Sequence, residues 1–217
     1  MLAKEQKIIL KEISTSKIKN IAAWGGGTAL SEVYFHHRQS DDIDIILTDL
    51  PPAEELTILA ARIGEAIEAV SRKSFNRMNR FQYVYDLKNH TQQKLEFVYY
   101  PFPKIGGAKK VNGIATESLL DIAASKILSA YQRDEIKDVF DLFVILKSKK
   151  YSLKNLIAGV EKKFGEKIDP ANLLARLNKN LDNFSGLKPK LLKRYSKLEI
   201  VNFFQAIFNV YLENQGI

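Results

Sequence analysis

Apolar and polar positions along the chain change period several times, and each change marks an element. Residues 3–19 place Ile8, Ile9, Leu10 and Ile13 on one side of a helix among lysines and glutamates. A short apolar run from Ile21 to Trp24 meets Gly25, Gly26 and Gly27, after which Leu30, Val33 and Tyr34 recur at helical spacing. "DDIDIILTDL" (41–50) is short, rich in isoleucine and stopped by Pro51 and Pro52, which predicts a strand. A helix is expected over Ala53–Val70, and "FQYVYDL" and "QKLEFVYY" predict a hairpin closed by the polar turn at 88–92.

Pro101, Pro103, Gly106, Gly107 and Gly113 then punctuate a boundary, beyond which everything reads as helix: 117–132, 134–148, 152–165, 170–181 and 197–214. The predicted class is α+β, with a mixed α+β domain over residues 1–105 and a helical domain over 114–217. No internal repeat or low-complexity tract interrupts this layout.

Composition adds two restrictions. No stretch approaches the roughly 20 apolar residues that span a bilayer, and the N-terminus is charged throughout rather than signal-like, so a soluble cytoplasmic protein without membrane contact is expected. Cysteine is absent, which removes disulfides, thiolate metal sites and a cysteine nucleophile. Charge is divided unevenly: residues 1–146 hold 19 Lys and Arg against 19 Asp and Glu, whereas residues 147–217 hold 14 against 6. The whole excess of +8 therefore sits in the last third, a helical stretch suited to an anionic partner, nucleic acid first, or simply to solvated helix faces.

Chemistry concentrates between Gly25 and Asp49. On a strand, Asp42 and Asp44 share one face while Ile43 and Ile45 take the other, with Cα atoms roughly 6.6 Å apart. Two such carboxylates repel unless a cation joins them, and oxygen-only ligands favour Mg²⁺ or Mn²⁺. Upstream, the glycines permit close backbone approach just before a helix, and exposed N–H groups with the Thr28 hydroxyl suit a phosphate. Each feature alone has a plainer explanation: tight packing for the glycines, a solvated loop for the Asp-x-Asp. In "KLEFVYY", Glu96 faces away from Leu95 and Phe97, and if this strand lies beside "DIDII" it completes a carboxylate trio able to hold two metals. Otherwise Glu96 is an exposed residue paired with Lys94. His36, His37 and His90 suit solvated or hydrogen-bonded roles, His37 being nearest the pocket; Tyr83, Tyr85, Tyr99 and Tyr100 suit sheet packing.

These stretches resemble the signature of the AbiEii/AbiGii nucleotidyltransferase toxin family. Gly26, Gly27, Thr28, Ala29 and Leu30 match its glycine-rich opening, Arg38, Ser40, Asp42, Ile43 and Asp44 its acidic strand, and Lys126, Arg133, Lys137, Asp138, Asp141 and Leu142 its helical motifs. The likeness covers roughly residues 20–147. It implies a minimal nucleotidyltransferase fold of the DNA-polymerase-β superfamily, followed by a helical domain. It also implies that Gly26, Gly27, Thr28, Arg38, Ser40, Lys126 and Asp141 bind nucleotide, that Asp42, Asp44, Lys126 and Asp138 are catalytic, and that Asp42 and Asp44, with Glu96 where other members often have Asp, hold the metal.

The expected activity is transfer of NMP from an NTP to an acceptor hydroxyl, in a toxin–antitoxin or phage-defence setting with a cognate antitoxin. RNA, tRNA in particular, is the acceptor that a basic C-terminal third favours. A kinase-like phosphotransferase using the same site, a nucleotide-binding module without turnover, and a small-molecule modifying enzyme are the alternatives.

Overall fold

The structure is a computed structural model, and it describes residues 2–187 and 190–213. The chain divides into two compact units, the first ending at Ser118 and the second beginning at Leu119.

The first unit is built on a mixed seven-stranded sheet in the order β3-β4-β5-β2-β1-β7-β6. Its strands are β1 (Ala22–Gly25), β2 (Ile43–Leu47), β3 (Ser71–Arg77), β4 (Arg80–Asp86), β5 (Gln92–Tyr99), β6 (Lys109–Val111) and β7 (Ile114–Thr116). β2 runs antiparallel to β1 and parallel to β5, which makes β2 the central strand. Within the strand the expected alternation holds, Ile43, Ile45 and Leu47 being fully buried with half-buried Asp44 and Ile46 between them, but the strand begins one residue after Asp42, which lies at the end of the preceding loop rather than on the strand face with Asp44. The helices α1 (Lys4–Ser14) and α3 (Ala53–Ala66) supply apolar stripes to this core, Ile9, Leu10 and Ile13 from α1 and Leu56, Ala60 and Ile63 from α3. Tyr85 ties β4 to α3 by donating its hydroxyl to the Ala60 carbonyl at 3.0 Å, and burial pushes its pKa up.

β1 leads directly into α2 (Gly26–Ala29), which continues as a π-helical segment, Leu30–Phe35. It ends at His36, whose left-handed conformation (φ 47°) lets its N–H reach the Ser31 carbonyl at 2.7 Å. A π-helical turn is uncommon and often accompanies a functional site.

Three strands were not anticipated. β3 is exposed along its whole length, so it carries no alternation to read. β6 and β7 lie within and just beyond the Pro/Gly-rich stretch expected to open the helical region, and they extend the sheet beyond β1 instead.

The second unit is helical: α4 (Leu119–Gln132), α5 (Ile136–Lys147), α6 (Leu153–Phe164), α7 (Pro170–Asn180), the short α8 (Phe184–Leu187) and α9 (Lys197–Glu213). Asn214, last residue of the expected final helix, lies outside the described residues. Local signals set the boundaries. The Ser152 hydroxyl accepts from Asn155 N–H to start α6, Gly165 (φ 72°) ends it, and Asp169 with Pro170 starts α7. The core joins Ile127, Phe140, Phe143, Leu156, Leu173 and Phe204, with Phe143 edge-on to Phe203 at 5.0 Å. Between α4 and α6, Lys163 and Asp121 form a buried ion pair at 3.2 Å.

Candidate active site

In the first unit the site is assembled by register. Asp44 stands opposite Gly25 on β1 and opposite Glu96 on β5, so all three lie in one row across the sheet. Gly26, the next residue, has φ 69°, a conformation that favours glycine. A Cβ placed there would collide with the Asp44 carboxylate. The glycine-rich opening and the acidic strand therefore meet in space: the backbone turn lies directly against the Asp44 side chain, where only glycine leaves room.

The segment leading to Asp42 is held from several directions. Thr28 is buried, its hydroxyl bonded to the Asp42 carbonyl and, at 2.8 Å, to Ser40 Oγ. Ser31 Oγ donates to the Arg38 carbonyl at 2.6 Å. From α1, Gln6 Nε2 donates to the Ser40 and Asp41 carbonyls at 2.9 and 3.0 Å; from β5, Gln93 Nε2 donates to the Asp41 carbonyl at 2.7 Å. Arg38 is itself buried and donates to the Gln39 carbonyl, and a Cβ at Gly27 would run into its guanidinium. Thr28, Arg38 and Ser40 thus shape the loop that sets Asp42; they line a cavity of about 510 Å³ together with Gln6 and Gln93.

Glu96 is buried beside Asp44, and its ion pair is with Arg80 of β4 at 3.4 Å rather than with Lys94. Among the described residues no three His, Cys, Asp or Glu side chains form a group that could hold a metal ion, so register brings Glu96 into the row with Asp44 without closing a three-carboxylate cluster.

Lys126, Asp138 and Asp141 come together within the second unit. Lys126 Nζ on α4 lies 2.8 Å from Asp138 Oδ1 and 2.7 Å from Asp141 Oδ2 on α5, and both carboxylates are fully buried. Arg133 Nε donates to the other Asp138 oxygen at 2.8 Å. Burial alone pushes the Asp138 carboxyl up, but the Lys126 and Arg133 cations outweigh it and hold its pKa below the usual carboxylate value. The i,i+3 spacing of the two aspartates places both on the face that meets Lys126, so Asp141 pairs with Lys126 and not with Lys137 on its own helix.

Three contributors escaped sequence reasoning. Gln6 occupies the same helical stripe as Ile9, Leu10 and Ile13 and is equally buried; a polar residue on an apolar stripe was the available signal. Gln93 and Arg80 sit at strand positions whose partners only the register reveals.

This architecture is that of the nucleotidyltransferases. The fold matches that of a candidate nucleotidyltransferase from Helicobacter pylori (TM-score 0.62, 18% identity, 97% of this chain and 94% of that one). It also matches JHP933 from Helicobacter pylori (TM-score 0.56, 20% identity, 98% and 92%). The chain belongs to the AbiEii nucleotidyl transferase toxin family of type IV toxin–antitoxin systems, whose profile matches residues 8–195. An uncharacterized protein of Aquifex aeolicus (strain VF5) is 28% identical over 217 residues, 98% of each chain. No helix among the described residues is long and apolar enough to cross a membrane.

Proposed function

We propose that the protein transfers NMP from an NTP to a hydroxyl of RNA, with tRNA as the favoured acceptor, and that this activity makes it the cytoplasmic toxin of a pair with a cognate antitoxin. The observation that carries the reading is the contact between the Gly26 turn and the Asp44 carboxylate, in one row with Glu96. A backbone that close to a metal-type carboxylate leaves N–H groups of the turn available to phosphate oxygens beside it.

In the reaction the acceptor oxygen bonds to the α-phosphorus as the bond to the β-phosphate oxygen breaks, the hydroxyl proton departs and pyrophosphate leaves. Little covalent work falls to side chains, so positioning and charge stabilisation set the rate. Asp42, at the end of the loop that enters β2, and Asp44 on β2 are oxygen donors two residues apart that would hold a hard divalent cation such as Mg²⁺ or Mn²⁺. When bound, that cation supplies charge neutralisation at the phosphates. Glu96, next in the row, is given the role of acceptor of the departing proton rather than that of a third metal ligand. Thr28, Arg38 and Ser40 position Asp42; Gly26 and Gly27 make room for the Asp44 carboxylate and the Arg38 guanidinium, and the turn they form is given the triphosphate. Lys126 is given the role of a phosphate-directed cation oriented by Asp138, with Asp141 sharing the ammonium. Because its ammonium already meets two carboxylates, that role requires one of them to loosen. Acceptor choice rests on the cationic excess of residues 147–217.

Purified protein incubated with Mg²⁺, total cellular RNA and NTPs labelled at the α- or the γ-phosphate tests the reading. α-Label entering RNA with the native protein and not with Asp42→Ala/Asp44→Ala supports nucleotidyl transfer. γ-Label entering instead makes the site a phosphotransferase, and no transfer of either label removes the RNA-modifying reading.

A further inference from the structure

The face of the sheet that bears Asp44 continues outward onto β4 and β3. The row that begins Gly25, Asp44, Glu96 goes on through Gln82 to Phe75. Parallel rows on the same face carry Lys73 with Val84 and Lys94, and Arg77 with Arg80 and Val98. The opposite face of β4 is filled by buried Phe81, Tyr83 and Tyr85, and Arg72 on that side donates to the Thr57 carbonyl of α3. The Asp44 face is open over these outer strands: Phe75 is 53% exposed, and a hollow of about 350 Å³ is lined by Phe75, Arg77, Arg80, Gln82 and Glu96. An exposed aromatic flanked by cations has no packing role there, and the ribbon from Ser71 to Asp86 sets four cations against a single carboxylate.

We infer that this open ribbon face is the acceptor platform, holding single-stranded RNA at its 3′ end, with a base stacked on Phe75 and phosphates against Arg77 and Arg80. The inference rests on the nucleotidyl-transfer reading, which places the triphosphate on the Gly26 side of Asp44. In-line displacement brings the nucleophile from the side opposite the leaving pyrophosphate, and that side is Glu96, Gln82 and Phe75. Phe75 stands three strands from Asp44, roughly 14 Å at about 4.8 Å per strand, so a base stacked on it belongs to a nucleotide upstream of the reacting hydroxyl. Aromatic stacking beside phosphate-binding cations is the general means of gripping single strands without reading sequence.

The test measures binding without turnover. Full-length protein is titrated into a fluorescein-labelled 12-nucleotide single-stranded RNA with a free 3′-hydroxyl across a range of salt, and separately into a fluorescent ATP analogue. Phe75→Ala should weaken RNA binding about tenfold with the salt slope unchanged, and Phe75→Trp should restore it. Arg77→Ala should lower the slope by about 0.7, the contribution of one phosphate contact on a single strand. ATP-analogue affinity should stay native in all three. Native RNA binding by both Phe75→Ala and Arg77→Ala overturns the proposal, as expected if the ribbon docks a protein instead. Loss of ATP-analogue affinity with RNA affinity intact overturns it too, assigning the ribbon to the nucleotide, and so does a native protein that does not bind the oligonucleotide. Failure of the transfer reading is seen separately, as native protein that binds RNA but incorporates no α-label.

Discussion

Gly26 is where sequence, conformation and chemistry coincide. Its positive φ excludes most side chains, and the space a Cβ would take belongs to the Asp44 carboxylate. Gly26→Ala therefore meets two independent obstacles: backbone strain of about 1 kcal/mol or more, and displacement of the Asp44 side chain, on which the proposed reaction depends. Relief is available by moving Asp44, because a carboxylate turns more easily than a sheet backbone. The expected outcome is a protein that still folds, with a melting temperature lowered by several degrees, but with transfer activity reduced at least a hundredfold. A melt and an α-label assay on the same preparation check it. Gly27→Ala presses on the Arg38 guanidinium instead. The glycine run and the Asp-x-Asp were legible in the sequence because they are local. What was hidden is that Thr28 and Ser40 spend their hydroxyls on each other and on the Asp42 carbonyl, a loop closure that no spacing rule reports.

Among the elements, those with a buried face were legible and those without were not. α4 and α5 show a strong apolar period and β2 alternates, whereas β3 pairs with β4 along its length but buries none of its side chains. β6 and β7 are three residues each, too short for a period. The α4–α5 pair also carries charge inside its core. Lys126→Met would leave Asp138 and Asp141 without their shared cation at fully buried positions, a change expected to destabilise by about 3–5 kcal/mol. Asp138 makes stability pH-dependent in a definite direction. Its folded pKa is below the ordinary value, so it contributes stability above about pH 4 that is lost as pH falls through the folded pKa. Chemical denaturation of the native protein and Asp138→Asn between pH 7 and 3 should show the native curve falling more steeply at the acid end. Parallel curves would mean that folding leaves the Asp138 pKa unchanged, so that the pair with Lys126 does not lower it.

For the whole molecule the deciding quantity is which of its two sets of positive charge would meet the proposed RNA acceptor. Net charge is balanced through residue 146, yet within that balanced part the ribbon concentrates Lys73, Arg77 and Arg80 on the open face beside Glu96. Residues 147–217 hold the overall excess, including the exposed Lys149, Lys150 and Lys154. The two sets differ in kind. A solvated lysine face neutralises phosphates without orienting them, whereas arginines around an exposed ring fix a strand against one sheet face. Counterion release counts the phosphates neutralised wherever that occurs, so the salt slope separates the contributions. Replacing Lys149, Lys150 and Lys154 by Gln should lower the slope for a structured RNA by up to about 2, while leaving the slope for a 12-nucleotide single strand and the rate of α-label transfer at saturating RNA unchanged. Arg77→Ala should do the reverse, lowering the single-strand slope and slowing transfer even at saturation, because it acts on how the reacting end is held. If the lysine variant slows transfer at saturating RNA, the basic third positions the acceptor directly, and the ribbon is not the sole determinant of where the hydroxyl lies.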